Sequence, residues 1–215
     1  MKNKITLLLC AAASIALLTT GCAQKPNPPA ASSQPARSQP SQSGQSSQSS
    51  SGADSPAGTA SMLGSLQSFT ALTLDGESFT QDDLAAKDIT VLNFWALTCP
   101  PCIAEMPELA SFAGALPDNV QMVTVCLDGS GNEEMVSSIL DEAGFSGVTL
   151  VAGDGDLAAL AGNLMYTPTT LVADSAGTLM GDPIIGGQKD LPGTFLAAVN
   201  DALQAGGKAE VSLEE

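Results

Sequence analysis

The chain has no histidine among its 215 residues, and its single arginine is Arg37. The missing histidine excludes Ser-His and Cys-His nucleophilic pairs and any histidine-ligated metal. Because Arg37 lies in a polar stretch near the N-terminus, no guanidinium is left downstream to clamp a carboxylate, phosphate or peroxide. Cations are scarce throughout. From Met62 onward Lys87, Lys189 and Lys208 stand against 22 acidic side chains, a net charge of −19. Such a surface repels phosphate backbones and excludes nucleic acid as a partner, while favouring neutral or basic proteins over the ~8 Å reach of charge at physiological salt. No apolar run reaches the ~20 residues a membrane-spanning helix needs, and no repeat of domain scale is visible.

What is present divides the chain by composition. Residues 1–22 read as a targeting segment, 23–62 as a linker, 63–207 as one folded domain and 208–215 as an acidic tail. Met1-Lys-Asn-Lys4 is a basic start, and Ile5 to Leu18 is a short apolar run of signal-peptide length. The run closes on Leu18-Thr-Thr-Gly-Cys22, which resembles the bacterial lipobox, with Thr19 where that pattern prefers Leu. The resemblance implies lipidation at Cys22 and a domain held outside the cytoplasm on the cell membrane; an ordinary cleaved signal is the alternative. The Ser, Gln, Pro, Ala and Gly composition of 23–62 has no apolar periodicity with which to offset the entropy of ordering, and suits a flexible tether.

The remaining residues alternate between strand and helix patterns. Phe69 to Thr80 reads as a hairpin turning at Asp75-Gly76. Ile89–Trp95 and Val120–Leu127 are apolar runs of strand length, and Val148–Val151, Thr169–Ala173 and Leu179–Ile184 are shorter ones. Helical spacing marks Pro100 to Leu116, where Pro107 should kink the helix, and Asn132 to Ala143, which should stop at Gly144. Asp156–Ala161 and a segment from Asp190 or Thr194 to Leu203 complete the helices. The pattern predicts an α/β fold: a central mixed sheet flanked by helices, with an N-terminal β-hairpin.

Cysteine placement carries the chemistry. Cys99 and Cys102 fall between a strand and a helix, the arrangement of a redox pair. Cys99 at a helix N-terminus gains from the unpaired N–H groups and the macrodipole, which favour a thiolate. Cys102 follows at the spacing that closes a disulfide with little backbone movement, and Pro100 suits the first turn because its missing N–H has no partner there. A zinc site would need further ligands that the sequence lacks, so no metal is expected; an inert structural disulfide is the alternative. Cys126, inside Val-Thr-Val-Cys126-Leu, reads as a small buried residue, against a third redox thiol. Asp128 reads as a turn cap or a second acid.

Asp75-Gly76, Val91-Leu-Asn-Phe-Trp-Ala96, Cys99-Pro-Pro-Cys102, Glu105-Met-Pro-Glu-Leu109 and Tyr166-Thr-Pro-Thr-Thr-Leu171 together resemble the TlpA/ResA-like branch of the thioredoxin superfamily. The resemblance implies a thioredoxin-like fold in which Cys99 is the exposed attacking thiol and Cys102 the resolving one. It implies that Thr167-Pro168 is a cis-proline loop facing the disulfide, although most X-Pro bonds are trans. Glu105 matches an acidic position used in thiol chemistry, where a carboxylate takes or returns the Cys102 proton; a solvated helix charge is the alternative. Substrate contacts are expected from Trp95, Thr98, Pro100, Pro101, Thr167 and Pro168, with Trp95 and Phe94 also walling the site from beneath. Thr98 departs from the family, which usually has an aromatic residue before the first cysteine, and Asn93 stands where many thioredoxins carry a buried Asp.

The expected activity is protein thiol–disulfide exchange with no cofactor beyond the Cys99–Cys102 pair. By resemblance it runs as a reductant of exported proteins, cytochrome c maturation partners among them, recharged by a membrane electron donor. Two alternatives belong to other classes. A peroxiredoxin-like peroxidase needs a Thr where Ala96 stands and an Arg the domain lacks. A non-catalytic lipoprotein would use the fold only to hold a partner.

Overall fold

The strand Ile89–Trp95 is buried at all seven positions, as expected of a largely apolar strand covered on both faces, with Thr90 and Asn93 as its polar exceptions. It is the third of seven strands in a computed structural model that describes residues 64–214. The targeting segment, the linker and Cys22 lie outside the described residues, as does Glu215. Along the described chain, β1 (Thr70–Thr73) and β2 (Ser78–Thr80) lead to α1 (Gln81–Ala85) and β3 (Ile89–Trp95). Next come α2 (Pro100–Gly114), β4 (Val120–Cys126), α3 (Glu133–Ala143) and β5 (Val148–Gly153). The chain ends with α4 (Gly155–Asn163), β6 (Thr169–Asp174), β7 (Leu179–Ile185) and α5 (Leu191–Ala205).

The strands form one mixed sheet in the order β2-β1-β5-β4-β3-β6-β7. β3, β4 and β5 are parallel, while β6 and β7 on one side and the β1–β2 hairpin on the other run antiparallel. The hairpin turns through Gly76 at φ 82°, a left-handed conformation that glycine adopts without penalty. Side-chain alternation splits the core in two. Ile89, Val91 and Trp95 face α2, α3 and α5, whereas Leu92 and Phe94 face α1 and α4. The architecture is that of a thioredoxin-like domain: a mixed sheet with helices on both faces and an N-terminal hairpin.

Most element bounds lie within two residues of the sequence expectation, and α3 ends on Gly144 at φ 73° as its pattern required. Three features differ. The short helix α1 fills a stretch to which the sequence pattern assigns no element, held by a capping box in which the Asp82 N–H donates to Thr80 Oγ1 and the Thr80 N–H to Asp83 Oδ2. α2 runs unbroken through Pro107, which sits on the exposed side of the helix. Residues 208–214, read as a tail, lie along the domain. Asn200 clasps Val211 by two hydrogen bonds of 3.1 and 2.8 Å, Glu214 N–H donates to Ala115 O at 2.8 Å, and Lys208 pairs with Asp88. Val211 and Leu213 add apolar contact to the core on the α2/α5 side.

Candidate active site

The chain leaves β3 at Trp95, turns through Ala96–Thr98 and enters α2, and each step is tied down. Leu127 N–H donates to Trp95 O at 2.9 Å, Leu97 N–H to Asp128 Oδ1 at 2.8 Å and Cys99 N–H to Ala96 O at 3.1 Å. Cys99 then serves as the N-cap residue of α2 in extended conformation, its carbonyl accepting from Ile103 N–H at 3.1 Å, with Pro100 and Pro101 in the first turn. Three residues on, Cys102 turns back to Cys99, and the two are joined as a disulfide with Cα atoms 5.3 Å apart. The first turn of α2 carries no acidic residue to oppose a thiolate at Cys99.

Exposure separates the two sulfurs. Cys99 retains 7% of its surface and Cys102 none. Cys99 is therefore less exposed in the disulfide form than the sequence led us to expect, but it is the only one of the two with any surface open to an incoming sulfur. Thr98, Pro100 and Pro101 are exposed around it. Trp95 is not available to a substrate. It lies wholly inside the α2/α5 core, since β3 is covered on both faces, and its role is the wall beneath the site.

The Thr167–Pro168 peptide is cis. Thr169 pairs with Phe94 in antiparallel register, so Pro168 stands one step further, level with Trp95 at the end of β3 that leads to Cys99. Pro168 O accepts from Gly186 N–H at 2.8 Å, which joins this loop to the end of β7, and Thr169 Oγ1 donates to Tyr166 O at 2.8 Å. The same end of the sheet bears four exposed apolar residues that sequence reasoning passed over: Leu127 after β4, Ile185 ending β7, and Met165 and Tyr166, which are 81% and 64% exposed. An apolar Leu-Met-Tyr run inside a loop was the available signal.

Beneath the disulfide lies a polar contact in an apolar core. Glu105, half-buried one turn beyond Cys102, receives a hydrogen bond from Asn93 Nδ2 at 3.4 Å. The same Nδ2 donates to Thr170 Oγ1 at 2.9 Å. Burial pushes the Glu105 carboxyl up to about 7, against the lowering effect of Asn93 and with a further upward push from Glu108. Such a group holds and releases a proton near neutral pH. Cys126 is different: it is buried, its thiol donates to Asp128 at 3.5 Å, and burial followed by that bond pushes it up to about 12. It carries no thiolate near neutral pH. Asp128 acts as a cap for the Leu97 loop.

Residues 51–181 match the redoxin family. Sporulation thiol-disulfide oxidoreductase A of Bacillus subtilis is 39% identical over 69 residues, 32% of this chain and 41% of that protein. Thioredoxin-like protein YneN of the same organism is 30% identical over 112 residues, 52% of this chain and 64% of that one. The chain thus spans less than two thirds of either relative. The solved structure of MTB dsbF, in mixed oxidised and reduced forms, is 28% identical with a TM-score of 0.50 and covers 62% of this chain and 96% of its own.

Proposed function

The chain belongs to the redoxin family, within the TlpA/ResA-like part of the thioredoxin superfamily, and from that premise we propose that it is an extracytoplasmic protein thiol–disulfide oxidoreductase. One observation carries the reading: a Cys99–Cys102 disulfide capping α2 at the same sheet end as a cis-Pro168 loop, with only Cys99 open to attack. The likeness to the sporulation thiol-disulfide oxidoreductase of Bacillus subtilis, and to a solved dsbF seen in both oxidised and reduced forms, supports the thiol–disulfide chemistry. The substrates are disulfides of exported proteins, cytochrome c maturation partners among them. Anchoring is through lipid on Cys22, with 23–62 as the tether, and a membrane donor returns the electrons. No cofactor beyond the cysteine pair takes part.

In the reduced protein the Cys99 thiolate attacks a substrate sulfur, forming a mixed disulfide and expelling the substrate's other sulfur as a thiolate. Cys102, giving up its proton to the Glu105 carboxylate, then attacks the Cys99 sulfur. The Cys99–Cys102 bond forms, the mixed disulfide breaks, and the substrate leaves with two electrons. Its thiolates take up protons from solvent. The donor's two electrons and two protons reverse the change in the protein.

The test is direct. Cys99→Ser abolishes insulin disulfide reduction, and Cys102→Ser accumulates mixed disulfides on Cys99 whose partners identify the substrates. Adducts carried on Cys102 in the Cys99→Ser protein would reverse the roles, and an inert wild-type chain would leave a binding lipoprotein. The peroxidase alternative is tested in the same preparation by peroxide turnover.

A further inference from the structure

Asn93 is wholly buried, and its side chain is satisfied at one end only. Nδ2 donates to both Glu105 Oε1 and Thr170 Oγ1, while Oδ1 has no partner among the described residues. A buried carbonyl without a donor forfeits the free energy that hydration gave it in the unfolded chain, so the arrangement needs a reason. An apolar residue would fill this position on β3 at lower cost, as Val91 and Trp95 do on the same face.

The reason lies in what Glu105 becomes when it takes up a proton. A carboxylate accepts hydrogen bonds and a carboxylic acid donates one, so a fixed amide serves only one of the two states. Turning the Asn93 amide by half a rotation exchanges Nδ2 for Oδ1. The oxygen then accepts from the Glu105 carboxylic acid and from the Thr170 hydroxyl, itself able to accept in one state and donate in the other. One end of the amide is unpaired in either orientation, so neither state is closed off.

We propose, on the reading that Glu105 moves a proton for Cys102, that Asn93 is the positioning residue of this step: its amide turns with the protonation of Glu105 and holds the carboxyl in place in both states. The other groups facing Glu105 do not supply this. Glu108 on the same helix acts by charge alone, and the Cys102 sulfur is tied in the disulfide and does not titrate. β6 is linked to the carboxyl by Thr170, whose hydroxyl shares the Asn93 amide with Glu105. The segment after β7 presents Gly187, where a Cβ would lie 3.5 Å from Glu105 Oε2.

The experiment is NMR on the oxidised full chain carrying labelled Glu carboxyl carbons and Asn side-chain nitrogens. Above the Glu105 midpoint, the Asn93 NH2 protons should show cross-peaks to the Glu105 methylene protons, and these should vanish as the carboxyl is protonated. In Glu105→Gln the Asn93 signals should become independent of pH over the same range. Cross-peaks that persist unchanged below the Glu105 midpoint would overturn the turning amide. Asn93→Leu adds a functional arm: the midpoint of the pH profile for exchange should rise by about half to one unit, because the charged form loses the stronger of the two bonds. A profile that keeps its midpoint while the rate falls would mark Asn93 as merely structural. These arms separate from the enzymatic reading: a Glu105→Gln protein exchanging at full speed would remove Glu105 from the reaction, while the NMR arm needs no turnover and still decides Asn93.

Discussion

Asp128 and Leu97 are joined across two loops, the Asp128 carboxylate accepting the Leu97 N–H at 2.8 Å and, through the same oxygen, the Cys126 thiol at 3.5 Å. One side chain thereby pins the turn that delivers Cys99 to the end of β4. Asp128→Ala should destabilise the fold by about 1–2 kcal/mol, the worth of a charge-assisted bond at a half-buried site, and Asp128→Asn should recover most of it. Both are read by chemical denaturation. The Cys126 thiol should fall from about 12 without its acidic partner, yet stay slow to alkylate because burial is the larger cause. Rapid labelling of Cys126 in folded Asp128→Ala would show that the carboxylate, rather than burial, protects it.

Glu105 links stability to pH, and the sign follows from its raised position at about 7. Between the ordinary carboxylate range and about 7, the folded chain keeps a proton that the unfolded chain has released. Stability conferred by this site is therefore complete at acid pH and falls as pH rises through that window. Glu105→Gln removes the penalty, so it should be near neutral at pH 4 and stabilising by about 1–2 kcal/mol at pH 8, a figure discounted for the partial exposure of the group. Denaturation of both proteins at the two pH values checks it. A Gln variant that leaves stability unchanged at both would place Glu105 among solvated charges.

Gly187 offers a way to move the same group without touching it. It is exposed, and the Cβ of a larger residue would sit in ordinary contact distance of Glu105 Oε2. Gly187→Leu should cover that oxygen, raise the carboxyl further above about 7 and shift the pH profile of exchange upward, with little cost in stability. An unmoved profile would mean that solvent reaches the carboxyl by another path.

The order of elements was readable because each run is locally consistent: seven buried positions in a row for β3, a positive-φ glycine closing α3, and Asp-Gly at the hairpin. α1 was not readable, being five residues long. The clasp of 208–214 was hidden for another reason. Its partners Asn200, Ala115 and Asp88 are set by the packing of distant elements, and the segment's acidic composition suggested a free tail. At the site, the cysteines announced themselves by spacing. Trp95 is expected from the resemblance both to meet substrate and to wall the site, and strand alternation, which turns it into the core, leaves it only the second role. That same alternation puts Asn93 on the α2 face with Trp95, two positions apart, and so beneath Glu105.

The apolar rim at the catalytic end of the sheet gives the last prediction. Met165 and Tyr166 precede the cis peptide and are 81% and 64% exposed, so truncating them removes little packing and should change stability by no more than about 0.5 kcal/mol. Exposed apolar side chains at the sheet end that carries the Cys99–Cys102 disulfide are retained at a solvation cost unless something covers them, and on the proposed function a protein substrate docked on Cys99 would. The Met165→Ser/Tyr166→Ser protein should therefore lose about 1–2 kcal/mol of binding to protein disulfides, a factor of about 5–30 in kcat/KM, carried mainly by KM. Glutathione disulfide is too small to reach the rim while engaging the sulfur, so its rate should be unchanged. Salt adds a second axis: basic protein substrates should slow as ionic strength rises, since the domain's negative field speeds their encounter, whereas the loss from truncation should persist at high salt because it is apolar. If the double variant slows glutathione disulfide and proteins alike, the loop acts by shaping the active site; if it slows neither, substrates approach Cys99 from another side.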